Sequence, residues 1–243
     1  MKKIAFTIVC LIGILTISKA QVVGGQYTDL FDAFILGEYE ECLDDALKYT
    51  EKDKTRRDAE PYLYAAMVYM KRYQDPNFTV EDKDDVLKDA LKMASKFTKY
   101  DAKNEEQDLI SQNMEPINEL KRLTVEMAQF FYVEEDFRKS AYFLKKYYKV
   151  MESPQVLLAL ANCQILSRNI TEGERNIKLA AEQLQKQGAN FDYETNLDEL
   201  TAKSFKAQLE FLKSNDETEK ASEFLAETKF YFKNSEEMQP LFN

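Results

Sequence analysis

Residues 121–181 carry the sequence KRLTVEMAQFFYVEEDFRKSAYFLKKYYKVMESPQVLLALANCQILSRNITEGERNIKLAA, and this stretch contains one pattern twice. The small and apolar positions of the first copy are Thr124, Met127, Ala128, Phe131, Phe137, Ser140, Leu144 and Tyr147. Those of the second copy are Leu157, Leu160, Ala161, Gln164, Ile170, Gly173, Ile177 and Ala180, so each position recurs 33 residues later. A fixed period of this length predicts two copies of one unit that stack on each other.

Each copy has the spacing of two consecutive helices. Positions 157, 160, 161 and 164 follow the i, i+3, i+4, i+7 pattern of one helix face, and positions 170, 173, 177 and 180 predict a second helix. Ala161 and Gly173 are small enough to let the two backbones approach closely. Ser153 followed by Pro154 predicts an N-cap and the first residue of a helix. The spacing from Thr171 to Glu174 predicts a capping box at the start of the next helix.

The period and the helix pairs resemble the tetratricopeptide repeat, whose units of about 34 residues are antiparallel helix pairs. Similar patterns begin near Asp29 and near Ala59, and a last helix pair carries Phe205, Leu209 and Leu212, then Ala221, Leu225 and Thr228. The resemblance implies an all-α fold, an α-solenoid of about five such hairpins. We expect one domain over residues 21–243, with the clearest repeats at 121–153 and 154–187.

Three segments interrupt the repeats. The second hairpin carries about twelve extra residues between Tyr69 and Leu87, either as a loop or as an early helix start capped by Thr79 and Asp82. Residues 100–115 are polar and predict an insertion with a short helix over 105–110, before a helix that runs from Pro116 to Tyr132. Residues 188–196 read as a loop, and apolar residues at 230–232 and 241–242 predict a terminal cap.

Residues 1–20 have the features of a signal peptide. Lys2 and Lys3 precede an apolar run over residues 4–17, and Ser18, Lys19 and Ala20 place small residues where a signal peptidase cleaves. The run is shorter than the roughly 20 residues that span a bilayer. Cleavage between Ala20 and Gln21, together with the Lys, Glu, Phe, Tyr and Asn content, resembles exported proteins of the Bacteroidota. We expect export to the periplasm, with secretion as the alternative.

Charge and composition exclude several functions. The 33 basic residues include Lys2, Lys3 and Lys19, so the mature chain carries 30 basic against 43 acidic residues, a net charge of −13. Phosphate backbones and anionic headgroups repel such a chain, so we expect neither nucleic-acid nor peripheral membrane binding. The chain has no histidine, which removes imidazole-based triads and the commonest zinc ligand.

No motif for catalysis or cofactor binding is evident, so we expect no enzyme activity, no cofactor and no metal site. Acidic clusters occur at residues 40–45, 82–85 and 134–136, but none has the ligand spacing of a calcium loop, and we interpret them as solvated helix faces. Cys42 and Cys163 lie three hairpins apart, too far for a disulfide between stacked helices, and we expect buried thiols.

The resemblance also implies a binding surface, because the first helices of such hairpins line a concave groove. The residues of this chain at the contacting positions are mostly apolar: Tyr27, Phe31, Phe34, Ile35, Leu63, Met67, Met70, Val125, Gln129, Tyr132, Leu158, Asn162 and Ile165. Family members that bind a C-terminal carboxylate use lysine, asparagine and arginine there, so that ligand is disfavoured. An apolar groove suits an amphipathic helix or an extended apolar segment of a protein. Alternatively, an insertion or the C-terminal tail fills it from within.

Two functions are consistent with these observations. The first is a non-catalytic exported adaptor that holds a protein partner in cell-envelope assembly or secretion, similar in architecture to the repeat lipoproteins of outer-membrane assembly but without their lipidation cysteine. The second is a periplasmic carrier that encloses a small apolar ligand in the groove. An enzyme would require a serine and a lysine within hydrogen-bond reach.

Overall fold

The computed structural model describes residues 25–104, 108–187, 198–229, 232 and 235–242, and within them all regular structure is helical. The all-α prediction is confirmed. The predicted signal peptide at residues 1–20 and the predicted loop at residues 188–196 lie outside the described residues. The helices are α1 (Thr28–Leu36), α2 (Tyr39–Glu51), α3 (Ala59–Tyr73), α4 (Val80–Asp101), α5 (Leu109–Gln112), α6 (Met114–Val133), α7 (Phe137–Tyr148), α8 (Pro154–Leu166), α9 (Ile170–Gln187), α10 (Asp198–Ser214) and α11 (Thr218–Lys229), with a short 3-10 helix at Gln239–Leu241.

Four helix pairs are joined by the same turn. Gly37, Glu135, Arg168 and Asp216 have positive φ angles of 81°, 58°, 68° and 59°. In each turn the next residue donates its backbone N–H to a carbonyl five residues back, as Asp136 does to Phe131 at 2.9 Å and Asn169 to Gln164 at 2.8 Å. This bond satisfies a carbonyl at the end of the first helix and directs the chain into the second. The turns at Glu135 and Arg168 are 33 positions apart, as the sequence period predicts.

The small residues of the second copy bring α8 and α9 together. A methyl group on Gly173 would lie 2.8 Å from the carbonyl oxygen of Ala161 and 2.5 Å from Cγ1 of Ile165. No side chain fits at this distance, so glycine sets the separation of the two helices. Beside this contact the Nδ2 of Asn176 donates to the Oε1 of Gln164 at 2.8 Å. The close approach predicted for this hairpin is therefore present.

The structure decides between the two alternatives for α4 and corrects the predicted starts of α9 and of the short helix before α6. Thr79 and Asp82 form a capping box, and α4 begins at Val80, so most of the extra residues of the second hairpin extend a helix and few of them form a loop. The capping box predicted from Thr171 is wrong, because α9 begins at Ile170 and Thr171 lies inside its first turn. The helix predicted over 105–110 is observed as α5, starting at Leu109, with residues 105–107 outside the described part.

The C-terminal segment covers the last helix pair. The ring of Phe205 on α10 stacks on Phe224 of α11, with centroids 4.6 Å apart, and meets the edge of Phe232 at 5.5 Å. Met238 is fully buried, and Nζ of Lys229 donates to the carbonyl of Phe242 at 3.3 Å. The predicted terminal cap is present in these residues, whereas positions 230 and 231 lie outside the described part.

Candidate partner-binding groove

Three first helices of the predicted hairpins, α1, α3 and α6, border one cleft of about 120 Å³. Phe34, Met67 and Met70 supply its apolar lining, so the structure brings together three residues that the sequence assigns to a groove. Methionine side chains are flexible and polarizable and adapt to differently shaped apolar groups. We call these three residues and the space they border the first-helix cleft.

Polar side chains form the rim of the first-helix cleft. They are Lys71, Gln74, Glu115 and Glu119, with Pro116 between the last two. Nε2 of Gln74 donates to Oε1 of Glu119 at 2.8 Å, which ties α3 to α6. Arg122 bonds the same carboxylate at 2.8 Å and, as the largest cause, lowers the pKa of Glu119. Lys71 and Glu115 are exposed and available to charged groups of a ligand.

Exposed apolar side chains lie next to the first-helix cleft in the chain. Ile35 and Leu36 directly follow Phe34 at the end of α1, and they are 56% and 72% exposed. Phe31, one turn earlier, is partly buried. Burial within this chain explains neither Ile35 nor Leu36, and apolar residues beside an apolar cleft are typical of a contact surface.

Five predicted groove residues of the first two hairpins are buried in the core, and two of these five, Tyr27 and Leu63, do not line the first-helix cleft. Tyr27 precedes α1, its hydroxyl donates to Oδ2 of Asp58 at 2.5 Å, and its ring meets Tyr49 edge-on at 4.7 Å. Burial, followed by the bond to Asp58, raises the pKa of Tyr27. Leu63 on α3 is 2% exposed and belongs to the same core. Neither residue lines the first-helix cleft.

The groove residues on α8 are buried on all sides. Ala161 and Gln164 face α9, and Cys163 faces α7, where its Sγ lies 3.3 Å from Oγ of Ser140. Because α-helix residues advance by about 100° each, Leu158 and Asn162 lie on the remaining side. The helices that pack closely on α8 are α7, α9 and α10, so α10 covers that side. Ile165 instead packs against Gly173 within its own hairpin.

The predicted groove residues in the second half of α6 are also withdrawn from solvent. Val125 is buried, and Gln129 and Tyr132 are partly buried. The pKa of Tyr132 is raised to about 12, chiefly by burial and then by the charges of Cys163 and Glu210. The groove positions of α8 are thus covered from within, whereas those of α1 and α3 that border the first-helix cleft are buried at 4–7% exposure beneath a mostly exposed polar rim. The cover is α10, which is part of the last predicted hairpin.

Two buried polar side chains at α10 and the surface it covers have atoms without hydrogen-bond partners. Asn162 is 1% exposed, and neither Nδ2 nor Oδ1 of its amide has a hydrogen-bond partner. The hydroxyl of Thr201 on α10 is likewise buried and unpaired. Each such group raises the free energy of the folded state by about 1–3 kcal/mol.

Sequence reasoning missed the rim residues of α6. The repeat pattern begins at position 124, whereas α6 begins at Met114, so its first two turns lie ahead of the repeated part. Glu115 and Glu119 belong to these turns. The helix predicted from Pro116 to Tyr132 already places Glu119 on the same helix as Val125, but the repeat pattern that assigns groove positions begins only at position 124.

The chemistry of the described residues offers few reactive groups. No cluster of three or more potential metal ligands occurs among them. Cys42 and Cys163 are free and buried, as predicted, and burial raises the pKa of their thiols to about 11 and about 12. At neutral pH both are therefore protonated and poor nucleophiles.

Comparison with known proteins adds no constraint. No family model, no curated protein and no solved structure matches the chain. Across the described residues, no helix combines the length and the apolar character needed to cross a membrane. The case for function therefore rests on the geometry of the chain itself.

Proposed function

We propose that this chain is an exported, non-catalytic adaptor built as a solenoid of tetratricopeptide-like hairpins, and that it binds a protein partner in cell-envelope assembly or secretion. The first-helix cleft carries this proposal. Three first helices border one apolar recess, and Ile35 and Leu36, which directly follow its lining residue Phe34 in the chain, are exposed. Such a surface suits the apolar face of an amphipathic helix or an extended apolar segment.

The repeated turn supports the repeat architecture. The same backbone bond at Gly37, Glu135, Arg168 and Asp216 gives four hairpins one common geometry. Units of one geometry that each leave an apolar face uncovered stack on their neighbours. A solenoid built in this way presents its first helices on one continuous surface.

The size of the first-helix cleft favours an adaptor over a carrier. Sites for small molecules measure about 300–1,000 Å³ and enclose most of the ligand. The cleft of about 120 Å³ accommodates one or two side chains of a larger partner. A carrier of a small apolar ligand would need the cleft to widen.

Site-specific cross-linking tests the adaptor. A photo-reactive group at position 71, on the cleft rim, should capture a protein partner in the native cell, and the same group at the exposed Lys145 of α7 should not. Leu36→Glu should reduce the capture and change the free energy of unfolding by no more than ~0.5 kcal/mol, because Leu36 is exposed. Equal capture at both positions would contradict the proposal. Native mass spectrometry that shows a bound small mass and no protein would favour the carrier.

The predicted export can be tested separately from partner binding. The charged start, short apolar run and Ser18 to Ala20 motivate cleavage after residue 20. The intact mass of the protein recovered from the periplasm or the medium should correspond to a chain that begins at Gln21. A mature protein that retains residues 1–20 would show that export by cleavage is wrong.

A further inference from the structure

A second cleft lies where the start of α4 meets the turn between α6 and α7. It measures about 440 Å³, and its apolar lining is Val80, Phe130 and Phe131. Phe131 is buried, but Phe130 and Val80 are 42% and 40% exposed. An aromatic ring and a valine left in solvent at one cleft are an unexplained apolar surface, distinct from the first-helix cleft.

Carboxylates surround this apolar surface. Glu81 and Asp84 come from one acidic run of the sequence, and Glu134 and Asp136 come from another about fifty residues later. The fold therefore joins two acidic runs that the sequence presents as separate helix faces. Their convergence on one aromatic side chain is a property of the tertiary structure alone.

Two of the four carboxylates are already engaged. Asp84 is buried and forms an ion pair with Lys88 at 2.9 Å, and Oδ1 of Asp136 accepts the backbone N–H of Lys139 at 3.1 Å as a helix cap. Glu81 and Glu134 are exposed, and neither has an ion pair with another described residue. These two carboxylates are free to receive cations from outside the chain.

The single cation of the lining shows how this cleft holds a positive charge. Nζ of Lys139 lies 4.6 Å from the centroid of the Phe131 ring and 3.9 Å from Oδ2 of Asp84. An ammonium group between an aromatic face and a carboxylate gains from both. Phe130 with Glu134 offers the same combination of groups at the exposed part of the cleft, and Val80 with Glu81 offers an aliphatic side chain beside a carboxylate.

We propose that this second cleft docks a short basic segment of a protein partner, one in which a large apolar side chain is flanked by lysine or arginine. The apolar side chain packs on Phe130 and Val80, and the flanking cations pair with Glu81 and Glu134. The charge of the cleft repels acidic segments and selects among apolar ones. The proposal does not depend on the function assigned to the first-helix cleft.

Fluorescence anisotropy with synthetic peptides tests the proposal. The probe is a labelled peptide with a central phenylalanine flanked by lysines on both sides. Two comparison peptides carry glutamate in place of the lysines, or serine in place of the phenylalanine. The lysine-phenylalanine peptide should bind, and both comparison peptides should bind at least tenfold more weakly. Equal binding of the glutamate peptide would overturn the proposal, as would an absence of binding by the lysine-phenylalanine peptide.

Matched variants locate the binding on the protein. Phe130→Ser should weaken binding about tenfold, whereas Tyr142→Ser, at a 38% exposed aromatic outside this cleft, should leave it unchanged. Removing both free carboxylates with Glu81→Gln and Glu134→Gln should weaken binding and reduce its salt dependence. The control variant Glu41→Gln with Glu51→Gln removes the same charge elsewhere. Equal effects of Phe130→Ser and Tyr142→Ser would show that the peptide does not bind at this cleft. Equal effects of the two double glutamine variants would show that it responds only to net charge. Either result would overturn the proposal.

Discussion

The first helices of the hairpins present two stretches of surface that differ in what lies over them. Phe34, Met67 and Met70 are 4–7% exposed and border the first-helix cleft, whose polar rim is mostly exposed, whereas Leu158 and Asn162 are 1% exposed and lie beneath α10. The same helical spacing of apolar residues therefore borders a cleft in one stretch and contributes only to the core in the other. What decides between them is whether a later helix of the chain returns to cover the surface.

The two stretches also differ in whether their polar side chains are paired. Beneath α10 the Asn162 amide has no partner, whereas at the first-helix cleft the Gln74 amide donates to Glu119. Apolar contacts of α10 with α8 must therefore outweigh the cost of the unpaired amide. Substitutions at the two stretches should consequently differ in size and in sign.

The largest difference is expected from a charge at each stretch. Leu158→Glu places a carboxylate beneath α10 and should lower the free energy of unfolding by about 4 kcal/mol or more, because the charge has neither water nor a partner. Leu36→Glu, at the exposed end of α1, should change the free energy of unfolding by ~0.5 kcal/mol at most. Urea denaturation of both variants measures the contrast. A tolerated Leu158→Glu would show that α10 does not cover α8.

The next contrast concerns two buried asparagines. Asn162→Leu removes an unpaired amide and should raise the free energy of unfolding by about 1 kcal/mol. Asn176→Leu, the matched change at a buried asparagine of α9, strips Gln164 of its partner and should lower it by about 1–3 kcal/mol. Thermal and urea denaturation give both signs. Equal losses of stability in both variants would show that the Asn162 amide has a hydrogen-bond partner in solution, as the Asn176 amide does.

The sequence predicted local features well because local features depend on neighbouring residues. The spacing from Thr124 to Ala180 located α6 to α9, and Thr79 with Asp82 gave the correct start of α4. Thr171 misled because α9, which follows the left-handed turn at Arg168, begins two residues earlier than the capping spacing of Thr171 implies.

The cover over α8 could not be predicted in the same way. The apolar pattern of α8 shows that its faces need partners, but a helix pattern does not identify which helix supplies them. The segment 188–197 separates α10 from α9, and nothing in its residues specifies that α10 packs on α8. The convergence of Glu81 and Glu134 at Phe130 was invisible for the same reason, since it depends on contacts between residues far apart in the chain.

The smallest effect should come from a buried polar contact between the start of α3 and the backbone that precedes α1. Glu60, at the start of α3, is 5% exposed, and its carboxylate accepts the backbone N–H groups of Gly25 at 3.2 Å and Gln26 at 2.8 Å. A methyl group on Gly25 would overlap this carboxylate, so the backbone lies directly against it. Unlike the amide of Asn162, this buried polar group is fully engaged.

The pH dependence of Glu60 distinguishes it from a simple structural bond. Burial is the largest cause acting on this carboxyl and raises its pKa, although the backbone bonds to Gln26 and Gly25 oppose the shift. A raised pKa in the folded state means that the folded chain binds the proton more tightly than the unfolded chain. The stabilisation is therefore complete below the ordinary glutamate pKa of about 4.3 and is lost as the pH rises through the raised value.

The variant Glu60→Gln tests this pH dependence, because glutamine does not titrate. The stability of the wild type relative to this variant should be greater at about pH 4 than at about pH 7. We expect a change of a few degrees at most in the difference between the two melting temperatures, since ~1 kcal/mol corresponds to about 2–4 °C in a chain of this size.

The control of opposite sign is Asp82→Asn. The bonds of Asp82 to Thr79 lower the pKa of this exposed carboxylate, so its contribution to stability grows with pH. If the stability of the wild type relative to Glu60→Gln also grows with pH, the backbone bonds outweigh burial at this carboxyl. The contact between Glu60 and the backbone of residues 25 and 26 is then stabilised by the charged form.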